Sequence, residues 1–226
     1  MKITYYGHSS FGLEIAGKHL LFDPFISPNP LAKDIDIEKI PADYILISHG
    51  HEDHVADVEA IAKRTGATII ACYEVAVWFA GKGIEKYHPM NTGGQTSFDF
   101  GTVKFVHAVH SSTLPDGSMG GAPGGFVVRT EEGNFYFAGD TALTYDMKLI
   151  GEYEKLDFAF LPIGDNFTMG VDDALIATSF INCKEIIGMH YDTFPYVKIN
   201  QANAIETFAK AGRNLHLMSI GESVEM

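Results

Sequence analysis

The chain has 226 residues, of which 46% are hydrophobic, so it can bury a sizeable core and is not a disordered polymer. The formal net charge of −13 argues against broad binding to nucleic acids or to anionic membranes. No segment is long and apolar enough to span a bilayer, and the first residues do not resemble a signal peptide. Cys72 and Cys183 lie in apolar runs, which is typical of buried free thiols in a reducing compartment. We therefore expect a cytoplasmic protein without a nucleic-acid or membrane partner.

The predicted elements begin with three short strands, after which strands occur both as hairpins and in alternation with helices. The apolar runs predict strands at 1–6, 11–15, 19–22, 44–47, 68–72, 96–100, 102–109, 125–130, 134–138, 158–161 and 185–189, with a last one near Leu217. Helical spacing predicts helices at about 56–66, 74–80, 147–154 and 172–180, and a last one between Asn200 and Gly212. This mixture predicts an α/β fold, in which two mixed β-sheets pack face to face with helices outside as a four-layer αββα sandwich. No linker interrupts the pattern, so we expect a single domain over residues 1–226.

One short segment of the chain is rich in histidine and acidic residues. Residues 48–54 read Ser-His-Gly-His-Glu-Asp-His, which places three histidines and an aspartate at the spacing H-x-H-x-D-H. The apolar strand 44–47 precedes the segment and helically spaced apolar residues follow it, so it occupies the turn between a strand and a helix. Imidazole and carboxylate ligands suit zinc, with iron, manganese and nickel as alternatives. The segment therefore predicts a metal site.

Isolated histidines and aspartates also follow other apolar runs. Six such residues each come shortly after a predicted strand: His8, Asp23, His49, His110, Asp140 and His190. Functional side chains gather outside the ends of strands because the core fixes the strand while the loop carries the chemistry. Six residues of this type beside the H-x-H-x-D-H segment favour one shared site.

These motifs resemble the metallo-β-lactamase superfamily, whose hallmark is the same H-x-H-x-D-H turn. The resemblance covers nearly the whole chain and is greatest to a group of predicted metal-dependent hydrolases from bacteria and archaea. The motifs that carry it are Tyr-Gly-His-Ser-Ser-Phe at 6–11, Leu-Phe-Asp-Pro at 21–24, the turn at 49–54, Gly-Asp-Thr at 139–141 and Gly-Asp-Asn-Phe-Thr-Met-Gly at 164–170. A more distant similarity points to ascorbate-6-phosphate lactonases and to N-acylphosphatidylethanolamine phospholipases.

By position, the resemblance implies two divalent metal ions, of which zinc is expected first. It implies His49, His51 and His110 as ligands of one ion, Asp53, His54 and His190 as ligands of the second, and Asp140 as a bridge between both. Two ions that share a carboxylate and a hydroxide lower the pKa of water and bind the anion that forms on attack. The implied activity is hydrolysis of a small ester, lactone or phosphodiester, with Asp53, Asp140 and His8 as the catalytic residues.

Several roles stay open at the level of sequence. We predict that His8 acts on the substrate or on the bound water, although it could instead support a ligand or be structural. Asp23 could orient a ligand imidazole or cap the turn before Pro24, and Asp165 and Asn166 could face the substrate or shape a turn. His88 and His107 are expected to be packing or surface residues, and the glycine-rich segment 117–125 is expected to form a rim of the active site.

Two other functions compete with small-molecule hydrolysis. Processing of RNA is the second substrate class, but the acidic balance and the lack of an inserted basic arm disfavour it. A non-hydrolytic metal module in redox chemistry or regulation is the other alternative. The complete ligand set and the absence of an attached flavin domain in the sequence weigh against a redox module.

Overall fold

The computed structural model describes residues 1–226 and contains fourteen β-strands in two sheets. In chain order the strands are β1 (Lys2–Gly7), β2 (Ser10–Ile15), β3 (Lys18–Phe22), β4 (Tyr44–Ile47), β5 (Thr68–Cys72), β6 (Tyr87–Met90), β7 (Gln95–Phe98), β8 (Gly101–His107), β9 (Gly124–Thr130), β10 (Gly133–Phe137), β11 (Phe158–Pro162), β12 (Glu185–Met189), β13 (Asn214–His216) and β14 (Ser223–Glu225). The first sheet has the order β14-β1-β2-β3-β4-β5-β6, and the second has the order β13-β12-β11-β10-β9-β8-β7. Both sheets are mixed, as the sequence predicts.

Six α-helices accompany the sheets. They are α1 (Glu52–Val55), α2 (Val58–Thr65), α3 (Tyr73–Gly81), α4 (Met147–Tyr153), α5 (Val171–Phe180) and α6 (Gln201–Lys210). Strand β11 is buried at every residue, because a strand inside a sandwich needs cover on both of its faces. Helix α3 packs against β5 and β6, and α6 packs against β13. None of the helices has both the length and the hydrophobicity that a membrane-crossing segment needs.

Aromatic side chains hold the two sheets together. The ring of Phe11 in β2 lies 4.7 Å from the ring of Phe160 in β11, and the ring of Phe22 in β3 lies 4.7 Å from that of Phe137 in β10. All four side chains are fully buried. Burial of a phenylalanine side chain is worth about 1.5–3 kcal/mol, so these contacts fix how one sheet sits on the other.

The strand directions explain where the polar residues meet. Strands β3 to β6 run parallel to one another, and β1 runs in the same direction because two antiparallel pairings separate it from β3. In the second sheet β10 to β13 are parallel, and β8 shares their direction for the same reason. The carboxyl ends of β1, β3 and β4 therefore lie along one edge of the first sheet, and those of β8, β10 and β12 along one edge of the second. The six strand-end residues predicted from the sequence follow these six strands.

The structure corrects three details of the predicted elements. The helix expected from about residue 56 to 66 is α2, which begins only at Val58, and the short helix α1 before it was not predicted. The two are separate because Asp57 leaves helical geometry and its carboxylate accepts hydrogen bonds from the backbone N–H groups of Ile26 and Ser27. Strand β6 was not predicted, since its alternation is interrupted by Pro89. Strand β14 was not predicted either, because it is a three-residue edge strand that pairs with β1 at the other end of the chain.

Candidate metal centre

The first group of ligand-type atoms comes from His49, His51 and His110. One nitrogen from each ring lies within 4.8 Å of the others, and Nε2 of His49 is 2.9 Å from Nδ1 of His51. The other nitrogen of His49, Nδ1, lies 3.0 Å from the hydroxyl oxygen of Ser48. A partner on one ring nitrogen fixes the orientation of the ring and directs the other nitrogen toward the site.

The second group comes from Asp53, His54 and His190, and His8 joins it. One atom from each of these four side chains lies within 4.8 Å of the others. Nδ1 of His54 is 2.8 Å from Oδ2 of Asp23, so Nε2 is the nitrogen of His54 that faces the group. Asp23 is fully buried and also accepts hydrogen bonds from the N–H and the hydroxyl of Ser48. Of the two roles left open for Asp23, the structure supports orientation of His54.

Asp140 lies between the two groups. Its Oδ2 atom is 3.0 Å from Nε2 of His190 and 3.3 Å from Nε2 of His54, which belong to the second group. The same oxygen is 3.6 Å from Nε2 of His110 and 4.0 Å from Nε2 of His49, which belong to the first. A single carboxylate oxygen thus faces four imidazoles, two from each of the two sheets.

The donor atoms fit divalent metal ions. In a tetrahedral site with metal–nitrogen distances of about 2.0–2.1 Å, neighbouring ligand atoms are roughly 3.4 Å apart, which is the range of the distances around Asp140. Nε2 of His54 and Oδ1 of Asp140 are buried and have no hydrogen-bond partner. Buried polar atoms are rarely left unpaired in native proteins, and a coordinated ion would satisfy both atoms.

The pKa values of the imidazoles are lowered in the first ligand group and raised at His54 and His190 of the second. Burial holds the pKa of His49 well below its ordinary value and also lowers the pKa of His51 and of His110, so these rings are neutral and able to bind a metal. Burial acts on His54 and His190 as well, but there the carboxylate of Asp140 outweighs it. Asp140 raises the pKa of His190 to about 9. Together with Asp53 and Asp23, it also raises the pKa of His54 well above its usual value. A metal at the second group must therefore displace protons.

His8 contacts a predicted ligand instead of lying at the surface. Its side chain is fully buried, its Nε2 lies 3.0 Å from Oδ2 of Asp53, and its Nδ1 lies 3.0 Å from the hydroxyl oxygen of Thr193. Burial, together with His190, lowers the pKa of His8 to about 4, so the ring is neutral. Because an ionised carboxylate only accepts hydrogen bonds, Nε2–H donates to Asp53 and Nδ1 accepts from Thr193. His8 is thus placed to orient the carboxylate of Asp53.

Three residues of the centre adopt the left-handed backbone conformation that favours glycine. The φ angles are 56° at His8, 41° at Asp23 and 57° at His190. Such conformations cost on the order of 1–3 kcal/mol each and tend to cluster at functional sites. Each of the three residues directly follows a strand and turns its side chain out of the pleat toward the centre.

The other residues discussed from the sequence lie around the centre or away from it. Asp165 and Asn166 both have positive φ, and Oδ1 of Asp165 accepts from the N–H of Asn166, so they shape the turn between Gly164 and Gly170. Ring nitrogen Nε2 of His88 lies 3.1 Å from the hydroxyl oxygen of Thr96.

His107 is exposed and borders a cavity of about 290 Å³ beside α4. The glycine-rich segment packs against Ser112, because a side chain at Gly120 would meet the hydroxyl of Ser112 at 2.3 Å. Ser48 and Thr193 are contacts of the centre that sequence reasoning missed, since neither has a ligand-type side chain.

Comparison with known proteins identifies the family of the chain. The family model described as "Beta-lactamase superfamily domain" matches residues 2–190. A protein of Flavobacterium johnsoniae named "UPF0173 metal-dependent hydrolase" is 56% identical over 226 residues, and the match covers 100% of both chains. The chain belongs to the UPF0173 metal-dependent hydrolases of the metallo-β-lactamase superfamily.

Other members of the family support the same assignment. The UPF0173 metal-dependent hydrolase YtkL of Bacillus subtilis is 45% identical, with 100% of both chains covered. The solved structure of Igni18, a metallo hydrolase from the archaeon Ignicoccus hospitalis, has a TM-score of 0.90 and 34% identity, over 99% of this chain and 97% of that chain. The predicted family, the α/β sandwich and the assignment as a metal-dependent hydrolase are thereby confirmed.

Proposed function

We propose that this metal-dependent hydrolase uses two divalent ions, zinc before manganese, iron or nickel, to cleave a small ester, lactone or phosphodiester. The observation that carries the proposal is the position of Asp140. Its Oδ2 atom lies 3.0–4.0 Å from nitrogens of both ligand groups, as a carboxylate shared between two ions requires. A single ion would need only one of the two groups.

In this proposal His49, His51 and His110 hold one ion, and Asp53, His54 and His190 hold the other. When bound, the ions would supply Lewis acidity and lower the pKa of water. Asp23 keeps Nε2 of His54 directed at the centre, and Ser48 does the same for Nε2 of His49. His8 holds the carboxylate of Asp53, and Asp140 places its oxygen between the groups. We propose that the chain works as one domain over residues 1–226.

We also infer a cytoplasmic location and a small-molecule substrate. The support for the location is that Cys72 and Cys183 are buried and unpaired, as expected in a reducing compartment. The support for a small substrate is that His49, His54, Asp140 and His190 of the ligand groups are buried at one edge of the sandwich.

A substrate panel on metal-analysed protein tests the function. Protein loaded with zinc or manganese should contain two ions per chain and should hydrolyse at least one member of a panel of lactones, carboxylic esters, thioesters and phosphodiesters. Removal of metal with a chelator should abolish turnover, and addition of metal should restore it. A metal ratio that never exceeds one in folded protein would overturn the two-ion proposal. Turnover that survives complete metal removal would overturn the proposed role of the centre.

A further inference from the structure

An exposed aromatic pair lies next to the metal centre. Phe167 and Tyr196 are 52% and 73% exposed, and their ring centroids are 6.2 Å apart in an edge-to-face arrangement. Large aromatic side chains that stay exposed side by side are typical of binding surfaces. Neither residue is a ligand, and neither belongs to the contacts that orient the ligands.

Backbone hydrogen bonds connect the segments that carry the two rings to segments that follow Asp140 and His190. The N–H of Met169 donates to the carbonyl of Thr141, the residue after Asp140, and Phe167 is only two residues from Met169, a reach of at most about 7 Å. The N–H of Asp192 donates to the carbonyl of Val197 at 2.7 Å, which brings Tyr196 back beside the segment that follows His190. The loops that carry the pair therefore follow β11 and β12, at the sheet edge where the second ligand group lies.

A second apolar side chain stands at the first ligand group. The hydroxyl of Ser112 accepts from the N–H of Gly50, and its carbonyl accepts from the N–H of Gly120, so this loop lies directly beside the H-x-H-x-D-H turn. Met119, the neighbour of Gly120, is 85% exposed. Apolar groups thus flank the centre on both sides.

The segments nearest to the two ligand groups carry no lysine or arginine. We define the mouth loops as the segments that surround the two ligand groups: residues 24–31, 50–52, 109–123, 140–146, 164–170 and 191–196. They contain no lysine or arginine, whereas their acidic residues outside the ligand set are Glu52, Asp116, Asp146, Asp165 and Asp192. Three lysines lie just beyond these segments. They are Lys33, Lys148, whose ammonium lies 4.3 Å from the centroid of the Tyr145 ring, and Lys198, which lines a groove with Asp172 and Asp173 at the start of α5. Two bound ions would attract an anionic group that reaches them, but these segments offer no arginine or lysine to hold a phosphate or carboxylate elsewhere on the substrate.

We propose that the substrate is an uncharged carboxylic ester or lactone whose apolar group packs on the Phe167–Tyr196 pair. This inference rests on the proposed hydrolysis at the two-ion centre and narrows its substrate class.

Matched esters test the charge of the substrate. On metal-loaded protein, p-nitrophenyl hexanoate should have a kcat/KM at least about a hundredfold higher than its analogue with a terminal carboxylate, and also higher than bis(p-nitrophenyl) phosphate. Met119→Lys should raise kcat/KM for the anionic ester several-fold relative to that for the hexanoate, with Met119→Leu as the matched control. Preference for either anionic substrate would overturn the inference while leaving the proposed hydrolysis intact.

Binding of unreactive ligands gives a readout that does not depend on turnover. N-benzylacetamide should bind the metal-loaded protein at least about tenfold more tightly than N-methylacetamide, as measured by ligand-observed NMR. Phe167→Ala and Tyr196→Ala should each remove most of this difference, whereas Tyr153→Ala, which removes an exposed tyrosine on α4, should not. If ring-dependent binding is present but no ester is cleaved, the recognition stands and the proposed hydrolysis fails. If the aromatic ring gives no gain in affinity, the inference is overturned whatever the esters show.

Discussion

Nδ1 of His54 lies 2.8 Å from Oδ2 of Asp23, and both side chains are fully buried. The carboxylate reaches this position because Asp23 follows β3 with a left-handed backbone and is held by two hydrogen bonds from Ser48. The pair leaves Nε2 of His54 free to face Asp140, and it increases the basicity of the ring. Asp23, which is not itself a predicted ligand, thus orients the predicted ligand His54.

Asp23→Asn should weaken the second metal ion while the fold is retained. The substitution keeps the shape of the side chain but removes the charge that orients and polarises His54, and such changes typically cost ten- to a hundredfold in metal affinity. Competition with a chromophoric chelator measures the affinity of each ion. Asp34→Asn, an exposed position in the loop that follows β3, is the matched control. Unchanged affinity for both ions in Asp23→Asn would show that the contact does not support the ligand.

Removal of single ligands should damage the two ions unequally. Asp140→Ala should impair both ions, because its Oδ2 faces both ligand groups, whereas His110→Ala should mainly weaken the first ion and His190→Ala the second. Metal content of the three purified variants at a fixed free metal concentration decides the matter. A normal content of both ions in Asp140→Ala would rule out a shared carboxylate.

His8→Ala should lower turnover far more than it lowers metal content. The variant loses the hydrogen bond from Nε2 to Asp53, which we expect to weaken the second ion by up to about tenfold. At saturating metal, turnover should still fall roughly ten- to a thousandfold, the scale of one positioning or acid–base contact. Metal content, melting temperature and rate must be measured on one preparation. His8→Gln, which can still donate to Asp53, should recover part of the rate. Normal turnover in His8→Ala would make His8 a structural residue.

Metal binding should release protons at neutral pH. In metal-free protein the pKa of His190 is about 9 and that of His54 is also raised, so both rings are charged at pH 7 and must lose a proton to coordinate an ion. Apparent affinity should therefore rise with pH up to about 9. Calorimetric titrations in two buffers of different ionisation enthalpy give the number of protons released. A heat that is the same in both buffers would show that the rings are already neutral.

The same shift predicts a pH dependence for the stability of metal-free protein. Because the pKa of His190 is higher in the folded chain than in the unfolded one, its contribution is fully present below about pH 6.5 and is lost as the pH rises through about 9. Metal-free protein should become less stable across this window, whereas metal-loaded protein should not. Urea denaturation at several pH values measures the difference. A flat profile for the metal-free form would contradict the assignment.

The sequence was sufficient to predict which histidines and aspartates the structure brings together, but not the contacts that hold them. His49 and His190 could be found because each interrupts an apolar pattern at the end of a strand, and that pattern is local. The contact between His8 and Thr193 joins residues 185 positions apart, and Thr193 has no feature that distinguishes it from a loop threonine. The left-handed backbone at His8 and His190 was equally hidden, because neither residue is a glycine or an asparagine. The break between α1 and α2 depends on two amide groups near residue 26 that no helical pattern reveals.

The two ligand groups each draw side chains from both sheets: His49 and His51 follow β4 while His110 follows β8, and Asp53 and His54 lie in α1 while His190 follows β12. Coordination of metal ions would therefore join the two sheets along one edge of the sandwich. The opposite edge is joined without a metal, by the ion pair Lys18–Asp99 and by hydrogen bonds such as that from the hydroxyl of Tyr44 to Asp99. Loss of the ions should then let the two sheets separate first at the edge that carries the ligand groups. Amide hydrogen exchange should therefore accelerate more at the carboxyl ends of β4 and β12 than at their amino ends.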